Sequence, residues 1–247
     1  MIRTRLRRHP IPIRSHFDFA LVLTYALPAN VLEPLLLPGL ELDRFGDDGF
    51  VAVALVQTRD LRPAVLPAFI GLDFFLAGYR IFTRYDAGER KLRGLQILRS
   101  RTDSRIMTFF GNLLTHYNYS RARVDVKRND GQLAIAMGDE LDVVADLTRE
   151  ATLPAASPFA NWKTARRYAG PLPFTFDHER ETNSIVRIEG VRQEWKPRPV
   201  HVDVRRIEFF NQPAFANTTP VLASAFYFED IPYLWRRGVA APLDADA

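Results

Sequence analysis

Residues able to do chemistry are densest between positions 102 and 126, TDSRIMTFFGNLLTHYNYSRARVDV. A helix-like apolar run there gives way to His116, Tyr117, Asn118 and Tyr119, and an alternating strand follows from Arg121. At such a junction side chains project over the end of a sheet. Tyrosine offers a hydroxyl on a large apolar body, and a positioned Tyr or His moves protons without a covalent intermediate. Arginine adds a planar fork that can hold a carboxylate through two parallel N–H bonds. The candidates are therefore Tyr119 and His116 for acid–base work, with Arg80, Arg99, Tyr117 and Asn118 as ligand contacts. The plain structural reading is that these hydroxyls lie at the surface and these guanidinium groups pair with some of the 29 acidic side chains.

Other chemistries find little support. There is no Cys, hence no thiol nucleophile, disulfide or thiolate metal site. The five histidines, His9, His16, His116, His178 and His201, show neither HxH nor HExxH spacing, so no metal is expected. Neither GxGxxG nor GxxxxGK[ST] occurs, and no GxSxG elbow, so no nucleotide cofactor and no serine triad is expected. Only four of the 33 basic residues are lysines, Lys91, Lys127, Lys163 and Lys196, which restricts amine catalysis to those positions. The net charge of +4 points to an anionic partner only if it is spread over one face. Five arginines, at 3, 5, 7, 8 and 14, fall in the first fourteen residues, and subtracting them from +4 leaves −1 for the rest. Nucleic-acid binding is not expected from so neutral a body. Every apolar run is interrupted by Arg, Asp or Pro well short of a membrane span, so the expectation is a soluble, cytoplasmic protein without a membrane partner.

The elements that must position these residues are mostly strands. Residues 17–25 read as a buried strand, and Asn30 with Glu33 as a capping box opening a short helix that stops at Pro38-Gly39. Segments 40–45 and 50–58 suggest a hairpin across Gly46-Asp47-Asp48-Gly49, while Pro63, Pro67 and Gly71 make 60–75 an apolar loop able to cover one end of a barrel. Residues 79–85 and 92–99 form the next hairpin, in which alternation leaves Arg80 free to face either side. Thr102 or Asp103 caps a helix over 104–114 whose Ile106, Met107, Phe110, Leu113 and Leu114 form a core-facing stripe. Asn129-Asp130-Gly131 turns the hairpin between 121–127 and 133–137, and 142–148 continues the sheet. Pro158 opens a helix running to Tyr168, and strands follow at 174–176, 184–195, 200–210 and 221–228. PYLWRRG reads as a terminal turn. Together these predict one mostly β, α+β domain over 15–238, flanked by a flexible Arg-rich arm at 1–14 and a flexible tail at 239–247.

The run NVLEPLLLPGLELDRFGDDGFVAVALVQ resembles the opening phrase of the YqjF-like uncharacterised conserved proteins, DUF2071. The resemblance continues through AGYRIFTRY, YSRARV, SPFANWKTARRYAGPLPFTFDHE and SIVRIEGVRQEWKPRPV, covering most of 17–237. It implies the acetoacetate decarboxylase-like fold: a curved, largely antiparallel β-barrel or cone with a central cavity and a few edge helices. In the decarboxylases a Schiff-base lysine sits in a GxPKK phrase just after the helix. The corresponding stretch here is THYNYSRA, with Tyr119 or Asn118 in the lysine's place. The decarboxylase arginine falls near Asp18 and its glutamate near Leu76. Only an amine can condense with a ketone and act as the electron sink, so the resemblance implies the fold without Schiff-base chemistry. The expectation is a protein that binds a small anionic or aromatic molecule in its cavity, with a homo-oligomer as an open option. The alternative is a lyase, hydrolase or isomerase using Tyr119 or His116 as general acid–base.

Overall fold

The computed structural model describes residues 6–170, 172–193 and 196–243. Arg3, Arg5 and Trp195 lie outside the described residues. In chain order the elements are β1 (Ile13–Pro28), α1 (Ala29–Leu32), β2 (Leu40–Leu42), β3 (Asp48–Pro63), β4 (Leu72–Asp86) and β5 (Lys91–Thr102). Then come α2 (Arg105–Leu114), β6 (Tyr119–Arg121), β7 (Asp125–Asn129), β8 (Gln132–Met137) and β9 (Leu141–Asp146). The rest are α3 (Trp162–Ala165), β10 (Phe174–Glu179), β11 (Ser184–Arg192), β12 (Arg198–Pro199), β13 (His201–Ile207), β14 (Val221–Trp235) and β15 (Val239–Pro242).

The long strands form one curved sheet in the order β12-β14-β1-β3-β4-β5-β10-β11-β15, antiparallel except where β5 meets β10 and β6 in parallel. It curls into a cone, far enough that Gly190–Arg192 of β11 pair back to Tyr233–Trp235 of β14. A second antiparallel sheet, β13-β9-β8-β7, covers one outer face. Strand alternation explains the two layers. Phe19, Leu21, Leu23 and Tyr25 of β1, with Val51, Val53 and Leu55 of β3, join Leu133, Ile135 and Val143 of the second sheet in one core. The opposite faces carry Ala20, Val22 and Ala26 of β1 and Ala52, Ala54 and Val56 of β3. Register sets these small residues side by side, Ala20 opposite Val56 and Val22 opposite Ala54. Small side chains facing inward on adjacent strands leave a cone open rather than filled.

Several expected elements differ. β2 pairs with β4 rather than β3, so the GDDG turn carries only the Phe45–Asp48 bridge. Asn30 lies inside α1, which has no side-chain cap. The loop expected over 60–75 is shorter, because β3 runs on to Pro63 and β4 starts at Leu72. The helix expected from Pro158 begins at Trp162, where the side chain of Asn161 accepts from Thr164 N–H and supplies the cap. PYLWRRG is not a terminal turn: β14 continues through Trp235, and β15 then pairs with β11. The N-terminal segment from residue 6 is also tied down. Arg8 pairs with the fully buried Glu179, and buried His9 exchanges backbone hydrogen bonds with Leu114 and Gly238. The hairpins at 86–88 and 129–131 form as the turn residues dictate, with Asp130 and Gly131 both at positive φ.

Candidate ligand-binding site

The mouth of the cone lies at the helix-to-strand junction, and local hydrogen bonds fix that junction. Ser104, rather than Thr102 or Asp103, caps α2: its hydroxyl accepts from Met107 N–H at 3.1 Å. The Asp103 carboxylate instead accepts from Phe75 N–H at 2.9 Å, tying the turn to β4. After Thr115 the chain passes through Asn118 at φ 51°, an exposed left-handed turn residue. Asn112 then clamps the start of β6. Its side-chain amide donates to Tyr119 C=O at 2.8 Å and accepts from Tyr119 N–H at 2.7 Å. Tyr119 is thereby placed beside Ser100 of β5 and turned under α2. There a Cβ at Gly111 would stand 2.5 Å from the Tyr119 ring. The apolar stripe of α2 does not pack as a core face. Only Met107 and Gly111 are buried, while Phe109 is 65% and Phe110 50% exposed, because α2 roofs a cavity.

That cavity has an envelope of about 1320 Å³, including its opening. Ala20, Val22, Ala52 and Ala54 form its floor on the sheet, and Met107 and Phe110 of α2 cover it, with the half-exposed Phe110 at the mouth. Of the candidates read from the sequence, Arg80, Tyr117 and Tyr119 line it together. The other three do not. His116 is half-buried beside the cavity, near Arg7, Glu179 and His178, and its Nε2 has no hydrogen-bond partner among the described residues. Arg99 sits against the second-sheet core, donating to Gln212 at 2.8 Å and covering the Phe209 ring at 5.4 Å. Asn118 is the exposed turn residue. The lining also holds His9, Thr175 and Tyr233, which sequence reasoning did not single out. Only contacts distant in sequence place them there.

Arg80 is the centre of the site. A register shift in the β4–β5 pairing between Tyr79 and Arg80 helps turn it inward, and its guanidinium folds back over Gly78. A Cβ at Gly78 would stand 2.7 Å from Arg80 Nε. Among the described residues no carboxylate pairs with Arg80, and its buried Nε makes no hydrogen bond. Burial lowers its pKa, opposed by the neighbouring Tyr233, Tyr119 and Tyr117. Burial also pushes Tyr119 up to about 12, raises Tyr117 well above its usual value, and raises Tyr233. All three phenols are neutral at pH 7, hydrogen-bond donors rather than bases. His9 is likewise neutral, its pKa lowered to about 4 by burial. Behind Tyr117, Asp177 is raised to about 7, again by burial.

Lysines lie elsewhere. Lys91 and Lys127 are exposed partners of Glu41 and Asp125, and no described lysine lines the cavity. Leu76 is part of the lining, whereas Asp18 pairs with Arg59. Among the described residues no group of three His, Asp or Glu side chains is placed to hold a metal ion. No helix there is long and apolar enough to cross a membrane.

A cone of this topology roofed by a junction helix is similar to the acetoacetate decarboxylase of Legionella pneumophila. That match has 12% identity and a TM-score of 0.63, over 96% of this chain and 90% of that one. The enduracididine biosynthesis enzyme MppR, solved in complex with pyruvate, matches at 11% identity and TM-score 0.63, over 94% of this chain and 90% of that one. An acetoacetate decarboxylase-like enzyme from Sphingomonas wittichii RW1 matches at 14% and 0.57, over 97% of this chain and 94% of its own. At such identities the likeness defines the fold class, acetoacetate decarboxylase-like, and no more. Residues 14–230 match DUF2071, and the chain belongs to that family of uncharacterized conserved proteins. No functionally curated protein matches it.

Proposed function

We propose that this chain is a decarboxylase-like protein without Schiff-base chemistry, binding a small molecule in the cone with an anionic group at Arg80. One observation carries the reading. Arg80 lines an apolar cavity that offers no carboxylate among its described lining residues, and its guanidinium, whose Nε is buried over Gly78, has no hydrogen-bond partner among the described residues. A charge held in such surroundings is costly unless an anion completes it. Arg80 and the neutral Tyr117, Tyr119 and Tyr233 can together saturate a carboxylate's lone pairs. Hydroxyls held this far above neutral pH favour donation to a bound ligand over proton abstraction. The lack of a lysine in the described lining supports the absence of an imine, even though the similar MppR structure is a pyruvate complex.

Two measurements test it. Carboxylate binding followed by isothermal titration calorimetry should weaken at least tenfold in Arg80→Gln, with the circular dichroism spectrum retained. Borohydride treatment with pyruvate should leave every lysine unlabelled by mass spectrometry. A carboxylate affinity indifferent to Arg80, or a reductively trapped lysine, contradicts the corresponding half of the proposal.

A further inference from the structure

Resting on that reading of the site, we infer that the ligand is an amphipathic monocarboxylate, its carboxylate at Arg80 and an aliphatic or aryl body running along the alanine floor toward the exposed Phe110 at the mouth. The charge count selects a monoanion. Arg80 is the only Arg or Lys among the described lining residues, and Arg192, which neighbours Tyr233, is not part of the lining. His9 contributes no charge at neutral pH. A phosphate dianion would therefore retain an uncompensated charge in an apolar enclosure, which is strongly unfavourable.

The walls select the body. Polar groups are confined to a few positions, whereas Ala20, Ala54, Leu61, Phe74 and Met107 offer only apolar surface. A ligand as short as a two- or three-carbon acid would satisfy Arg80 and leave those walls without partners, forfeiting the burial the cavity makes available. The apolar surface also does not stop at the opening. Phe110 and Ile11 both line the cavity and are 50% and 42% exposed, and Ile106 and Phe109 extend the patch along α2. Exposed apolar area continuous with an internal apolar wall fits a ligand whose tail enters last and remains near the mouth. It does not fit a wholly polar metabolite.

The full-length protein is titrated calorimetrically with acetate, pyruvate, hexanoate, octanoate and decanoate, and with methyl octanoate and octyl phosphate, all below micelle-forming concentrations. Affinity should rise about fourfold per added methylene until the cavity is full, the gain expected from burying one such group. Methyl octanoate and octyl phosphate should each bind at least tenfold more weakly than octanoate, and Arg80→Gln should erase the preference for acid over ester. Phe110→Gln, a change at a half-exposed position that adds no charge, should keep the folded circular dichroism spectrum and weaken decanoate about tenfold, with a far smaller effect on acetate. Short and long acids binding equally, with Arg80 still required, overturns the amphipathic class and leaves the anion site standing. Acids of every length binding without regard to Arg80 overturns the anion site itself. Octyl phosphate binding as tightly as octanoate overturns the monoanion assignment alone.

Discussion

At the scale of single residues, the arrangement around Arg80 sets function against stability. An unpartnered guanidinium in an apolar cone destabilises the empty protein, so Arg80→Met should raise the stability of the unliganded form by about 1–2 kcal/mol while removing carboxylate binding. Urea unfolding with and without ligand checks both signs, and a loss of apo stability contradicts the account. Asp177 behaves similarly through its proton. Burial lifts its folded pKa to about 7 from an ordinary value near 3.8. The folded state therefore keeps a proton that the unfolded chain has released, and stability declines as pH rises from about 4 to about 7 and is level above that. Asp177→Asn should remove this slope. The variant should match the parent near pH 4 and exceed it by roughly 2 kcal/mol at pH 8, a figure reduced for partial solvent access. Melting temperatures across that range decide it. Arg80 was legible in the sequence as a ligand contact but its direction was not, and Asp177 was not legible at all. Alternation left Arg80 free to face either side, and Asp177 meets Tyr117 only because β10 joins β5.

At the scale of elements, local chemistry was legible and remote pairing was not. Hairpins at 86–88 and 129–131 follow from their turn residues, and α2 from its apolar spacing. The cap of α2 moved by one or two positions because β4 claims the Asp103 carboxylate. β2 left its expected hairpin for β4, and β14 ran through a segment that reads as a turn, since distant strands supplied their hydrogen bonds. Asp43, just beyond β2, shows how such an excursion is held. Its side chain is fully buried and accepts from Arg84 Nε at 2.7 Å and Arg93 Nε at 2.6 Å. Arg167, after α3, approaches to 3.6 Å. One carboxylate thus joins four segments, and Asp43→Ala should cost about 1–3 kcal/mol by removing the charge-assisted hydrogen bonds that hold three partly exposed guanidinium groups together. Chemical denaturation measures that loss, and a change below about 1 kcal/mol would show the cluster to be solvated.

At the scale of the whole molecule, the cone is completed by two segments from opposite parts of the chain, residues 8–11 and β15. The sequence reads the N-terminus as a solvated arginine-rich arm and the C-terminus as a fraying tail, because composition reports charge and not contacts. Yet Arg8 neutralises Glu179, whose side chain is fully buried, while His9 and Ile11 are part of the cavity wall. Gly238, just before β15, donates its N–H to His9 C=O at 3.0 Å. A dispensable arm would leave thermal stability unchanged on deletion. The contacts of residues 8–11 predict the opposite, because removing residues 1–12 strips Glu179 of its cation and opens the cavity beside α2. The truncated chain should lose about 3 kcal/mol or more of stability. Its affinity for long carboxylates should fall further than its affinity for short ones, since Ile11 borders the mouth while Arg80 lies deeper. Restoring residues 6–12 alone, without the first five, should recover both properties, because Arg8, His9 and Ile11 all lie in that stretch. Recovery that also needs residues 1–5 would contradict the anchoring role of the Arg8–Glu179 pair.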